Sequence, residues 1–380
     1  MKLFKKMIPL LLLSALVFSS ASCLSHTELD KQAIVEAIGI DRTEEGYEVT
    51  VQYFGMEGMG GSTLLDSTKP NVLVISGKGS DLFTALESVS AKCGKTLMYG
   101  ITNIIVLGKD AVQPDLKTVL SFTKSYYQSN PHVLLAVTDG KASDVMNVKF
   151  KEENVSANHL CALLSNAEKM GLGECKRLYS VLNELEQPTG GVILPMIGVK
   201  ETGTGATDDG KTVELVGGAA FVNRKFAGQI SLSAFSGAQL LCGKIENTSA
   251  STNVNGRSVS VTLFDVSRKL EPFYEDGKLG FTVKITAGGK YSDSQLSEEG
   301  VAASEEVEKQ CASYIEKRIQ SAVSEVVNAF GCDPCGMKYS ISSTDYSLWL
   351  RIAENYGELL KTAAFPVECT VHIDHFGLTH

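Results

Sequence analysis

The sequence predicts a multi-domain α+β protein, of two or three domains, built from mixed and antiparallel sheets each packed by helices. Three observations lead there. Up to about residue 200, β-rich runs alternate with amphipathic helical stretches, the pattern of strands covered by helices. Past residue 211, strands follow one another in antiparallel fashion and helices come after them. Between the two lies Glu201 to Lys211, rich in Gly, Thr and Asp and without apolar periodicity, where the main domain boundary falls. The divisions are a leader at 1–22, an N-terminal α+β region of two subdomains at 23–205, and a C-terminal α+β domain at 206–380.

The elements follow in order. Ala33 to Asp41 and Tyr47 to Phe54 are strands joined by the polar Arg42-Thr43-Glu44-Glu45-Gly46, a hairpin signature. Gly55 to Gly61 carries four glycines and is a loop. Val72 to Ile75 is a strand, and Gly77-Lys78-Gly79-Ser80 leads into a helix with Leu82, Phe83, Leu86 and Val89 at helical spacing. Asn103 to Leu107 and Val133 to Thr138 are buried-type strands, with a helix at Leu116 to Phe122 between them and a short one starting at Lys141. Ala157 to Met170 and Leu178 to Leu185 are helices, and Pro188 with Gly190-Gly191 separates the second from the strand at Val192 to Pro195. Val213 to Asn223, Ser258 to Ser267 and Lys278 to Ile285 are strands, with a helix at Leu232 to Leu241. The strongest periodicity spans 304–330. Val307, Cys311, Ile315, Ile319, Val323, Val326 and Phe330 make one stripe, with Ser304 placed to cap the start and Gly331 the end. A helix at Tyr346 to Ala353 around the only tryptophan, Trp349, and a strand at Pro366 to Ile373 complete the chain.

The first 22 residues read as an export leader. Lys2, Lys5 and Lys6 precede an apolar run from Met7 to Phe18, too short for a stable bilayer span, and Ser20-Ala21-Ser22 supplies small residues before Cys23. Cysteine directly after such a triplet is the acceptor position for a diacylglycerol, which makes Cys23 the lipidated N-terminus of a mature lipoprotein, although Ser20 replaces the usual aliphatic residue. The alternative is ordinary secretory cleavage with Cys23 as a free thiol or disulfide partner. Loss of the leader moves the formal charge from −9 to −12, and no basic cluster remains for phosphates, so nucleic acid is excluded as a partner.

No motif supplies catalysis, a cofactor or a metal. Gly77-Lys78-Gly79 lacks the third glycine of a dinucleotide fingerprint, and Val89 stands where a phosphate loop ending in Gly94-Lys95-Thr96 would begin. His372, His375 and His380 cluster near the C-terminus, where strand alternation lets at most two converge. The cysteines are irregularly spaced and do not form a disulfide framework. Cys93, Cys161, Cys175, Cys242, Cys311 and Cys369 mostly sit in apolar context as small buried hydrophobes. Cys332-Asp333-Pro334-Cys335 is the exception, open to a local disulfide, a reduced turn, or redox or metal chemistry.

The ordered pieces resemble the Ger(x)C family, the lipoprotein C subunits of nutrient germinant receptors. Members begin Cys-Trp-Asp-x-x-Glu-Leu, followed by a strand ending Gly-Ile-Asp. Here Cys23-Leu24-Ser25-His26-Thr27-Glu28-Leu29 is followed by Ala37-Ile38-Gly39-Ile40-Asp41, with Leu24 and Ser25 in place of Trp and Asp. Met98-Tyr99-Gly100, Ile104 to Gly108, Leu194-Pro195-Met196-Ile197 and Gly217-Gly218-Ala219-Ala220-Phe221 match later family runs in order. On this resemblance the chain is identified as a divergent member, one that carries more cysteines than usual. The resemblance implies three α+β domains, no catalysis and no cofactor. It also implies a membrane anchor through Cys23 at the outer face of the spore inner membrane and assembly with membrane A and B subunits. The competing reading is a solute-binding lipoprotein of a transporter, which would have two doubly wound lobes.

Overall fold

The computed structural model describes residues 31–55, 72–125, 130–150, 156–187, 190–201, 210–245, 247–254, 257–291 and 302–373. In chain order these form β1 (Gln32–Thr43), β2 (Gly46–Gly55), β3 (Val72–Gly79), α1 (Leu82–Cys93), β4 (Thr96–Met98), β5 (Ile104–Gly108), α2 (Lys109–Val112), α3 (Leu116–Ser125), β6 (Leu134–Thr138), α4 (Ala142–Met146), α5 (Ser156–Lys169), β7 (Lys176–Arg177), α6 (Leu178–Glu186) and β8 (Gly191–Glu201). There follow β9 (Lys211–Val222), β10 (Lys225–Ile230), α7 (Leu232–Cys242), β11 (Asn247–Val254), β12 (Arg257–Glu275), β13 (Lys278–Tyr291), α8 (Ala302–Ala322) continued by a π turn at Val323–Asn328, α9 (Met337–Thr344), α10 (Tyr346–Ile352), α11 (Tyr356–Lys361) and β14 (Val367–Ile373). This is the mixed α+β architecture that the pattern predicts.

Two sheets organise it. The first has ten strands in the order β10-β9-β8-β6-β5-β1-β2-β3, with β4 added to β1 and β7 to β6. Its centre is parallel, β1 beside β5, β5 beside β6 and β6 beside β8. Strands buried on both faces read as continuous apolar runs, and β5 is one: Ile105 and Leu107 face α1, α3 and α6, whereas Ile104 and Val106 face α4 and α5. A bulge between Val35 and Ala37 shifts the phase of β1, so Val35 and Ile38 both point into the first of these cores.

Segment 201–211, where the sequence places the main boundary, joins β8 to β9, which pair from Gly191↔Val222 to Glu201↔Lys211. Hydrogen bonding therefore runs across it, and the first sheet extends to Ile230.

The second sheet has four strands, β11-β12-β13-β14. Its last strand lies parallel to β13, because α8 to α11 intervene and supply the crossover a parallel return needs. These helices cover one face of the sheet. Val307, Cys311, Ile315 and Ile319 of α8 are all within 1% of complete burial against Phe281, Val283 and Ile285.

Local details refine several expectations. The glycines Gly77 and Gly79 serve close packing: a Cβ on either would lie 2.6 Å or less from the backbone of α1, at Ala85 and Val89. Asp81, unmarked in the sequence reading, caps α1 by accepting from the Thr84 N–H at 2.8 Å. Phe83 was expected in the apolar stripe but is 56% exposed, since it lies beside Leu82 on the outer flank. Ser304 lies within α8, whose described part starts at Ala302, so it is not the N-cap. Gly331 ends the helix as expected, its N–H donating to the Val327 carbonyl.

Candidate functional site at the junction of the two sheets

α7 is the element that joins the sheets. Nearly every residue from Ala234 to Leu241 is buried, as expected of a helix surrounded on all sides. Ser231 caps it, its hydroxyl accepting from the Ala234 N–H at 3.1 Å. Glu325, in the π turn after α8, accepts from the Ser231 N–H and hydroxyl, each at 2.7 Å. The extra residue of the π turn lets one helix serve two cores: Val323 and Val327 face the second sheet, Ala322 and Val326 face α7 and the first. Gly237 permits this approach, for a Cβ there would lie 1.8 Å from the Arg318 carbonyl oxygen. Ser236 accepts from Arg318 and donates to the Gly171 carbonyl at 2.6 Å.

The C-terminal end of α7 is bonded covalently across the junction. Cys242 and Cys335, 93 residues apart, form a disulfide. The Cys332-x-x-Cys335 run is thus neither a local disulfide nor a reduced turn: one member reaches α7, and Cys332 is buried beneath Gly191 with its thiol 3.9 Å from the Phe221 carbonyl. Between them, Asp333 orders the turn. Its carboxylate accepts from the N–H groups of Met337 at 2.8 Å and Lys338 at 3.1 Å and from the Tyr356 hydroxyl at 2.9 Å, while its carbonyl accepts from Gly191. Burial, followed by the Asp333 charge, pushes the Tyr356 phenol far above its ordinary range.

Beside the disulfide lies an open groove of about 250 Å³, lined among others by Glu184, Gln187, Lys244, Lys338 and Tyr339. Tyr339 donates across it to Gln187 at 2.8 Å. Behind it, Lys176 reaches Glu184 at 2.7 Å and Glu174 at 3.1 Å, and Lys244 reaches Glu174 at 2.7 Å. Burial opposes both charges of the Glu174–Lys176 pair, yet the partners outweigh it: Glu174 is held below the usual carboxylate range and Lys176 above the usual amine range.

A second, polar cleft of about 400 Å³ opens at the start of β5 and β6, with Asn103, His132, Cys161, Glu168, Cys175 and Arg177 on its walls. Burial raises the Cys175 thiol to about 12. Cys311 and Cys369 are raised by the same cause to about 11 and about 12. Thiols held protonated are poor nucleophiles. Among the described residues no group of His, Cys, Asp and Glu side chains could hold a metal ion. His372 is exposed on β14; His375, His380 and Cys23 lie outside the described residues. Asp41, two residues before the end of β1, accepts from the N–H groups of Ala142 at 2.7 Å and Ser143 at 2.9 Å, the start of α4. The sequence reading did not assign this role, nor that of Asp333, because each partner set becomes visible only when the chain has folded.

Comparison with known proteins accounts for both halves. The family described as spore germination protein N-terminal domain matches residues 25–199, and spore germination B3/GerAC-like, C-terminal, matches 216–377. The chain is a divergent member of the Ger(x)C family. Spore germination protein KC of Bacillus subtilis (strain 168) is 26% identical to it over 344 residues, spanning 83% of this chain and 82% of that protein. The crystal structure of the GerBC protein aligns with 88% of this chain and 96% of its own at a TM-score of 0.56 and 14% identity, a likeness of fold. The two Ger(x)C profiles separate within 199–216, the stretch that contains the β8–β9 connection. In this Ger(x)C member the Gly39-Ile40-Asp41 run is a structural device. Gly108 faces the Asp41 carboxylate so closely that a Cβ would lie 2.3 Å from Oδ1.

Proposed function

We propose that this chain is the non-enzymatic C subunit of a spore nutrient germinant receptor. A diacylglycerol on Cys23 holds it at the outer face of the spore inner membrane, and it acts with membrane A and B subunits to trigger germination. The observation that carries this reading is the match of Ger(x)C profiles to both halves of the chain, 25–199 and 216–377, supported by the relative named spore germination protein KC. No helix among the described residues is long and apolar enough to cross a membrane, which agrees with an anchor outside the folded body. The lipid then has a physical purpose. Confinement to the membrane raises the effective concentration of the subunit near its partners, so a modest protein interface suffices for assembly. The raised thiols and the carboxylates committed to backbone N–H groups support a binding rather than a chemical role.

The test is a pull-down from detergent-solubilised membranes of sporulating cells, comparing wild type with Cys23→Ala. Co-purification of a permease-like protein and a second membrane subunit, reduced in the variant, is the expected result. Recovery of an ATP-driven transporter in their place would overturn it in favour of a solute-binding lipoprotein.

A further inference from the structure

We propose that one end of the first sheet, where β1 begins, lies against the phospholipid surface and fixes the orientation of the protein on the membrane. The proposal builds on the reading of Cys23 as the anchor. Seven residues, 24–30, separate Cys23 from Lys31, and over those eight steps at 3.3–3.6 Å each an extended chain reaches at most about 29 Å. The start of β1 therefore cannot lie far from the bilayer.

The topology gathers several chain segments at that end. β3 runs alongside β2 with Val72 opposite Phe54, and Phe54 lies opposite Ile34, so the first residues of β3 sit beside the first of β1. β4 pairs with Gln32 to Ile34 on the other side, and the turn after it, closed by Thr102 N–H to the Tyr99 carbonyl, brings Ile101 there. The parallel strand β6 starts at the same end, and Tyr179 docks on its approach, donating its N–H to the Pro131 carbonyl and packing edge-on against His132 at 5.3 Å. Leu73, Val74, Ile101 and Tyr179 are 50%, 39%, 51% and 46% exposed. They spread over β3, β2, β1, β5 and β6, a width of about 19 Å at the usual strand spacing.

The opposite end differs in chemistry. Glu44, Glu45, Asp81, Asp110, Asp139 and Asp144 are exposed there, at the β1–β2 turn and after β3, β5 and β6, and outnumber the exposed cations Arg42, Lys78 and Lys141 beside them. An end with that acidic excess is disfavoured at anionic lipid, whereas the β1 start offers apolar side chains, a tyrosine suited to the headgroup level, and the exposed cations Lys31, Lys92 and Arg177 against the exposed carboxylate of Glu168. Two independent features, the reach of the tether and the distribution of apolar and acidic groups, thus select the same face.

The test places a reporter tryptophan at each end. Leu73→Trp, Ile101→Trp and, as the far-end control, Phe83→Trp are made in the mature chain, with Trp349 as the constant background measured in the parent. A hexahistidine tag in place of Cys23 binds each protein to phosphatidylglycerol vesicles bearing a nickel-chelating lipid and brominated acyl chains. This holds the protein at the surface whether or not Cys23 is lipidated. Lipidation is read separately, from the mass of the N-terminal peptide of native material, so failure of the anchor and failure of the orientation are distinguishable. The expected result is loss of the added emission at positions 73 and 101 and none at 83. Equal loss at all three, loss at 83 alone, or no loss at 73 and 101 would overturn the proposal, the last because the face then meets something other than lipid.

Discussion

Asp41 and Asp333 spend buried carboxylates on backbone N–H groups that a helix start leaves unpaired. Burial raises Asp41 above the usual carboxylate range, and the Ser143 and Ala142 N–H groups only partly offset it. Asp41→Ala leaves two of those donors without their acceptor and is expected to destabilise the fold by about 2–3 kcal/mol, with Asp41→Asn milder, read from urea midpoints. Glu174 behaves oppositely with pH. Its folded value is depressed, so its contribution is present above about pH 4.3 and is lost as pH falls through the folded value. Lys176 is raised, so its share persists below about pH 10.4 and disappears as pH rises through the folded value. Lys244→Met removes one partner of Glu174, and urea denaturation near neutrality and in acid should show a smaller loss of stability on acidification than in the parent. The Gly39-Ile40-Asp41 run was legible as strand, although β1 continues two residues past it to Thr43. Its purpose was not, since Ala142 lies 101 residues away and nothing local announces the contact.

The elements most legible in the sequence were those with many repeats of one period. The α8 stripe identified itself through Val307, Cys311, Ile315 and Ile319, all buried as the spacing requires. β4 and β7, of three and two residues, are too short to show alternation, and the Ser- and Thr-rich β11 lacks an apolar face strong enough to mark it. α7 was found as a helix, but its place between two sheets depends on partners more than 80 residues away, Arg318 and Glu325 among them. The Cys242–Cys335 bond shares that opacity: the C-x-x-C spacing drew attention to the wrong pair. A cross-link closing a loop of this length contributes about 4–5 kcal/mol. Reduction, Cys242→Ser and Cys335→Ser are each expected to lower stability by that amount, and the double variant by no more than either single one, as measured by urea denaturation.

At the scale of the molecule, the α+β class followed from the order of strands and helices, because that order decides which layers can cover one another. The continuity of the first sheet through Ile230 did not, for the polar stretch at 201–211 resembles a linker and a hairpin connection equally well. The start of β1 is linked to the covalent junction at α7 through the hydrogen-bonded order β1-β5-β6-β8-β9, on which α7 packs. The same layout governs how the protein bears force. A pull applied from the N-terminal side enters at Gln32 in line with β1, which is bonded on one side to β2 and on the other to β4 and β5. Those bonds lie across the line of pull, so they are loaded in shear and must give way together, whereas an edge strand such as β3 can be peeled one bond at a time. A chain held from its N-terminal side is thus held by an interior strand of the sheet and not by an edge strand.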